Sequence, residues 1–270
     1  MSRFLVYLAH PGYQTPGSET SALPLNIGYL KAYADHHIGP AVDIRLFMHV
    51  EPLLAALRER KPHLLALSNY VWNSVLSDSI LQYARSLYPN HLTLQGGHHY
   101  PLNKDNGFTF WQPKKDYLDF YLHGEGEEPF RKFLLHALGC EGTVRKEEVN
   151  IAGIDYWSDK LNAPVMQSEH ERIKNIEENI PSPILNGALD EFILEIPMLQ
   201  TTRGCPYSCQ FCHEAQPYYN RLYAMSVERV IAEIDYIRAS GNKYPYMHIT
   251  DANFGILKRD ISILNYLIKL

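Results

Sequence analysis

Along the first 140 residues the apolar positions switch repeatedly between two periods. Residues 4–8 are a short unbroken apolar run that stops at His10-Pro11-Gly12, the pattern of a buried strand and its loop. Leu23, Ile27, Leu30 and Ala34 then recur at helical spacing. Residues 43–47 alternate as a strand, 52–60 read as a helix, and 63–67 (HLLAL) as a buried strand. Val75, Leu76, Ile80, Leu81, Ala84 and Leu87 form the next helix face. Residues 92–94 predict a strand stopped by Gly96-Gly97, and 118–122 another that ends in Gly124-Glu125-Gly126. A helix over 128–138 follows, with Glu127 and Glu128 at its positive end and Gly139 as its stop. Strands alternating with helices imply a parallel sheet wound on both faces. Ligands bind such sheets beyond the C-terminal strand ends, which singles out the loops at 10–12, 68–73, 96–100 and 124–127.

Residues 141–195 change character: charge density rises, periodicity fades, and Pro181-Ser182-Pro183 interrupts the chain. They read as a connecting segment. A second unit begins near residue 193, with a strand over 193–200 followed at once by a cysteine-rich loop. Ser226 caps a helix that shows Val227, Val230, Ile231, Ile234 and Ile237 on one face, with Gly241 at its end. Residues 246–250 form a strand that ends in Asp251-Ala252-Asn253-Phe254-Gly255, and a last helix starts near Arg259. Strand, loop, helix, strand, loop, helix is two units of a parallel βα barrel. A closed eight-unit barrel takes about 250 residues. The stretch holds about two units, so the sequence reads as a piece of a longer protein.

Composition narrows the partners. Net charge is −5, and the 25 Lys and Arg residues are scattered, so no nucleic-acid or anionic-membrane footprint is expected. No apolar run reaches the roughly 18–20 residues of a membrane span, and no signal-peptide pattern opens the chain. A cytoplasmic protein is expected. Three of the four cysteines lie within one loop, which points to metal or redox chemistry rather than to a disulfide framework. Cys140 stands apart at the end of an apolar helix and reads as a small hydrophobe.

Residues 201–212 read TTRGCPYSCQFC. Three thiolates at C-x3-C-x2-C spacing, Cys205, Cys209 and Cys212, can hold three irons of a cubane cluster and leave the fourth open. Zinc is the competing reading, with His213 or Cys140 as fourth ligand, but only Cys209 and Cys212 have the paired spacing that zinc sites use. The run resembles the CxxxCxΦC motif of the radical SAM superfamily, with Phe211 at the aromatic position. The resemblance implies a 4Fe-4S cluster whose open iron is chelated by S-adenosylmethionine (SAM), with Phe211 beside the adenine. It also implies that Asp251 and Asn253, at the end of the next strand, face the amino or ribose groups of SAM. Read without the resemblance, Asp251 caps the next helix and Gly255 supplies a turn; both readings stand at this point. The Gly-Gly-Glu variant found at this strand in other members is absent.

Domain order narrows the resemblance. A doubly wound domain followed by this loop is similar to the cobalamin-binding subclass of radical SAM enzymes. The matching stretches run from Pro24 to Leu30, from Ser68 to Asn73, Gly96-Gly97-His98, and from Gly124 to Phe130. The resemblance implies that Ser68, Asn69, Tyr70, Trp72, Gly96, Gly97, His98, Gly124 and Glu125 bind cobalamin. The glycines would allow close backbone approach, and Tyr70 and Trp72 would pack on the corrin. The Asp-x-His-x-x-Gly axial-ligand motif is absent: Asp35-His36-His37-Ile38-Gly39 has the wrong spacing, and His10 lies in the right loop without the Asp. No histidine ligand is expected from this domain.

The expected fold is therefore α/β: a flavodoxin-like, cobalamin-binding type of domain over residues 1–140, a linker over 141–192, and the start of a radical SAM barrel over 193–270. The expected function is SAM cleavage to a 5′-deoxyadenosyl radical, followed by methyl transfer to an unactivated carbon of a small molecule. A flavodoxin or ferredoxin would serve as electron donor. The alternatives are radical SAM chemistry without cobalamin (sulfur insertion, rearrangement or cyclisation) and a non-catalytic metal or redox module.

Overall fold

A computed structural model describes residues 3–13, 21–101 and 104–270. They form two compact units: residues 3–13 with 33–171, and residues 21–32 with 172–270.

The first unit is built on a seven-stranded sheet. In chain order its elements include β1 (Phe4–Ala9), the last part of α1 (Leu25–Ile38, of which residues 25–32 group with the second unit), β2 (Val42–Phe47), α2 (Val50–Glu59), β3 (Leu64–Ser68), α3 (Ser74–Leu87), β4 (Leu92–Gly96), α4 (Gly107–Trp111), β5 (Phe120–Leu122), α5 (Glu127–Gly139), β6 (Ile154–Ser158) and β7 (Ala163–Val165). The strand order is β2-β1-β3-β4-β5-β6-β7. The first five strands are parallel, in the order of flavodoxin-like doubly wound sheets, as the alternating pattern predicts. Every residue of β1 and β3 is buried, which is why both read as unbroken apolar runs. Edge strand β2 alternates Val, Asp, Ile, Arg, Leu, Phe and buries every second residue most deeply. The core beneath the sheet gathers Leu5, Tyr7, Leu53, Leu57, Leu65, Ile80, Leu81, Trp111, Tyr121 and Trp157.

Residues 141–195 carry more regular structure than their pattern suggests. β6 pairs antiparallel with β5, and β7 antiparallel with β6, extending the sheet at one edge. The reason is burial on both faces. All five residues of β6, Asp155 included, are buried, so the run IDYWS shows no alternation to read. Residues 141–171 group with the first unit and 172–192 with the second.

The second unit contains α6 (Ile176–Asn179), β8 (Met198–Leu199), β9 (Thr202–Arg203), β10 (Tyr223–Ala224), α7 (Val227–Ala239), β11 (His248–Ile249) and α8 (Asp260–Ile268). β8 and β11 are parallel neighbours joined through α7, which makes one βαβ unit. β9 and β10 form a short antiparallel pair. The strand expected over 193–200 is reduced to two residues because other partners take its backbone first. The Asn242 amide donates to Ile193 O (2.7 Å) and Glu195 O (2.8 Å), and Ile196 bridges to Ala22. The Ser226 cap is as expected: its hydroxyl accepts from Arg229 N at 3.1 Å, and Val230, Ile234 and Ile237 are buried. Among the described residues no helix is long and apolar enough to cross a membrane.

Candidate functional site

The cysteine loop leaves β9 through Gly204. This residue has φ +95°, and a Cβ there would lie 2.2 Å from Arg221 O and 2.7 Å from Tyr219 O. Only glycine fits, and the tight turn delivers Cys205 to a fixed place, with its N–H donating to Tyr219 O at 2.8 Å. Cys205 is buried, Cys212 half-buried and Cys209 exposed; all are free thiols. Cys212 N donates to Cys209 O at 3.0 Å. Among the described residues no three His, Cys, Asp or Glu side chains converge as a ready metal site. The thiols are therefore linked by their loop rather than by a closed cage. Phe211, between Cys209 and Cys212, is 94% exposed.

The end of β11 meets this loop. Register sets Leu199 opposite Ile249, and two residues further on Asp251 meets Thr201. Asp251 Oδ1 accepts from Thr201 N (2.6 Å) and Thr202 N (3.0 Å), while Oδ2 accepts from the Thr201 hydroxyl. Both carboxylate oxygens thus hold the backbone that leads into the cysteines. Arg259 completes the clamp, donating to Thr201 O (2.7 Å), Thr201 Oγ1 (2.9 Å) and Met225 O (2.8 Å). Asn253 Nδ2 reaches Cys205 Sγ at 2.9 Å. The donor set fits an iron–sulfur cluster: three free thiols share one loop, and the most buried already accepts the kind of outer hydrogen bond that metal-bound thiolates receive.

In the first unit the loops after β1, β3 and β4 meet. His10 Nδ1 lies 2.9 Å from Ser68 Oγ, and Asn73 Nδ2 donates to Ser68 Oγ (2.9 Å) and Pro11 O (3.1 Å). Burial pushes His10 down to about 4, and pushes His98 down as well. Both rings are neutral near pH 7. Tyr70 stacks on Trp72 (4.7 Å between centroids, 5° between planes) and meets His10 and His98 edge-on. Trp72 is 59% exposed and stands with exposed Val71 and Val75, an apolar surface suited to a flat ligand. Gly97 has φ +135°, and a Cβ would sit 2.5 Å from Asn69 O, so its glycine is required by the approach of the two loops to each other. Asn69 is fully buried; its Nδ2 donates to His99 O (3.0 Å) and Tyr121 OH (3.2 Å). Its Oδ1 is an acceptor without a partner among the described residues. The exposed aromatic step and the orphaned amide oxygen fit a ligand that is flat, apolar on its face and carries donors at its rim.

Ser68, Asn69, Tyr70, Trp72, Gly97 and His98 therefore lie in one cluster. Gly124 and Glu125 follow β5 on the neighbouring loop. Tyr121 on β5 ties the cluster together by donating to Gly97 O at 2.9 Å. Behind it Tyr100 stacks on Tyr121 at 4.1 Å and donates to Asp155 Oδ2 at 2.6 Å; burial first, then the Asp155 charge, holds its hydroxyl far above the ordinary tyrosine range. Sequence assigns no individual role to Thr201, Arg259, Tyr100, Tyr121 or Asp155. Of these only Thr201 carried a usable signal, because it stands opposite Asp251 once the two strands are aligned.

No family model matches the chain. It is similar to the cobalamin-dependent radical SAM methyltransferase TokK of Streptomyces tokunonensis, 31% identical over 93% of this chain and 37% of TokK. It is also similar to the 2-(S-pantetheinyl)-carbapenam-3-carboxylate methyltransferase of Streptantibioticus cattleyicolor, 29% identical over 89% of this chain and 35% of that protein. The chain thus spans little more than a third of the length of these relatives. Among solved structures it shares its fold with the cobalamin-dependent SAM radical enzyme OxsB (TM-score 0.69, 20% identity, 99% of this chain and 37% of that one). It shares it too with the radical SAM methyltransferase TsrM of Kitasatospora setae, in a structure with cobalamin and a [4Fe-4S] cluster bound (TM-score 0.68, 16% identity, 99% of this chain and 51% of that one). Over nearly its whole length the chain is a homologue of cobalamin-dependent radical SAM methyltransferases, the subclass that its domain order and cysteine loop together resemble.

Proposed function

We propose that the chain acts in a cobalamin-dependent radical SAM methyltransferase that alkylates an unactivated carbon of a small molecule. The observation that carries this reading is the TTRGCPYSCQFC loop at the end of a barrel-type strand, clamped by Asp251 and Arg259, in a chain whose relatives are such enzymes. When bound, the cluster and SAM supply a 5′-deoxyadenosyl radical for hydrogen abstraction, and cobalamin supplies the methyl group. Cys205, Cys209 and Cys212 would hold three irons and leave the fourth to the amino and carboxylate groups of SAM. Gly204, Asp251, Thr201 and Arg259 fix the loop that presents those thiols. Phe211, exposed beside the cysteines, would lie against the adenine. Tyr70 and Trp72 would pack on the corrin, with Ser68, Asn69, Gly96, Gly97, His98, Gly124 and Glu125 around its rim and tail. Neutral His10, held against Ser68, shapes that loop rather than carrying charge. The electron donor would be of the flavodoxin or ferredoxin class, and the compartment the cytoplasm.

Anaerobic reconstitution with iron, sulfide and a corrin tests the reading. The chain should take up an iron–sulfur chromophore and bind corrin, and the full-length protein, given SAM and a reductant, should release 5′-deoxyadenosine. Zinc uptake alone would overturn it. Cluster uptake without corrin binding would leave radical SAM chemistry and remove the cobalamin step.

A further inference from the structure

We propose that Asn253 sets the reduction potential of the cluster through an N–H···S hydrogen bond to Cys205. The inference rests on the cluster reading given above and assigns Asn253 a role toward sulfur, where its sequence position suggested only a contact to SAM. Asn253 Nδ2 and Cys205 Sγ are 2.9 Å apart although 48 residues separate them in the chain. Both partners are held from elsewhere. Cys205 is tied by its N–H to Tyr219 O, and Asn253 stands two residues beyond Asp251, whose carboxylate is fixed on the Thr201 and Thr202 amides. The contact is also selective. Cys205 is 8% exposed whereas Cys209 is open to solvent, so this hydrogen bond acts where water screens least.

The physical consequence is directional. A donor pointed at a ligating sulfur withdraws electron density from it. It stabilises the reduced cluster, which carries one more negative charge, more than the oxidised one, and so raises the potential. The step concerned is the uptake of one electron from an external reductant, with no proton or ligand lost. Removing the donor should make the cluster harder to reduce by about tenfold in the reduction equilibrium, which corresponds to about 59 mV for a one-electron couple.

The test is a potentiometric titration, read by the electron paramagnetic resonance of the reduced cluster, on reconstituted wild type, Asn253→Leu and Asn253→Asp. Iron content and melting temperature are measured alongside. The expected result is a more negative midpoint in Asn253→Leu and a larger negative shift in Asn253→Asp, where a carboxylate replaces the donor. Wild-type potentials in cluster-loaded variants would overturn the inference. So would loss of cluster uptake in both variants at unchanged melting temperature, because the residue would then build the cluster rather than tune it. If Leu alone fails to load, the Asp variant decides by its potential. A wild-type chain that holds no iron–sulfur cluster at all would instead sink the functional reading, and this inference with it.

Discussion

The two candidate sites are made in opposite ways. In the first unit, long strands buried on both faces hold the loops, and the side chains of those loops bond to one another: His10 with Ser68, Asn73 with Ser68 and Pro11, Asn69 with Tyr121. In the second unit the paired strands are two residues long, and the thiols lie on a loop that runs from buried Cys205 to exposed Cys209. There the order comes from a few clamps at the root of the loop, namely Gly204, Asp251 and Arg259. A site cross-linked by many small contacts should lose function gradually under mutation. A site hung from three anchors should lose it abruptly.

The largest expected effect sets one glycine against the other. Gly204→Ala and Gly97→Ala each place a Cβ into backbone at positive φ, at a cost of about 3 kcal/mol. The Gly204 variant should lose iron uptake and keep corrin binding, while the Gly97 variant should do the reverse; equal damage to both by either would break the comparison. Acid should act next, and chiefly on the first unit. His10 is held at about 4 against an ordinary value of about 6.5, so below pH 6.5 the unfolded chain binds a proton that the folded chain refuses. Stability should be full above that pH and fall by up to about 3 kcal/mol as it drops toward 4. His170, pushed down to about 4 mainly by burial, adds to the fall. Denaturant unfolding across this range should show the slope, and His10→Gln should flatten part of it.

Asp251→Ala should cost about 2 kcal/mol, since it strips the acceptor from two amides and a hydroxyl. Hydrogen exchange should speed at Thr201 and Thr202 while β1 and β3 stay protected; uniform exchange would mean that the clamp is not local. The smallest stability effect belongs to Trp72→Ala. That side chain is largely exposed, so the change should stay within about 0.5 kcal/mol. Corrin affinity, read by absorbance titration, should fall by about tenfold, the worth of one aromatic contact. Undiminished affinity would remove Trp72 from the site.

Much of the scaffold was legible because local pattern and global fold agree in it. β1 and β3 are apolar throughout and buried throughout, and the face of α7 repeats as an amphipathic helix should. The pattern failed where burial is two-sided but the sequence is mixed. β6 places Asp155 in the interior, where Tyr100 and the Gln167 amide hold it, and no periodicity announces such a residue. The cysteine loop stands out in the sequence by its C-x3-C-x2-C spacing. Its anchors do not, because Arg259 reaches Thr201 across 58 residues and Asp251 reaches it across 50. Sequence offers Asp251 either a ligand contact or a turn cap; the structure bonds its oxygens to the backbone and hydroxyl ahead of the cysteines.

The late hairpin β6–β7 also matters for how the chain behaves in a crowded solution. A parallel sheet that stopped at β5 would present an open ladder of amides and carbonyls to any other chain. β6 covers that ladder, and the new outer strand is three residues long with Pro164 at its centre, opposite Trp157. Proline has no N–H to offer a newcomer, so the sheet ends in a strand that resists extension. Pro164→Val would restore that amide, and with it a route to self-association.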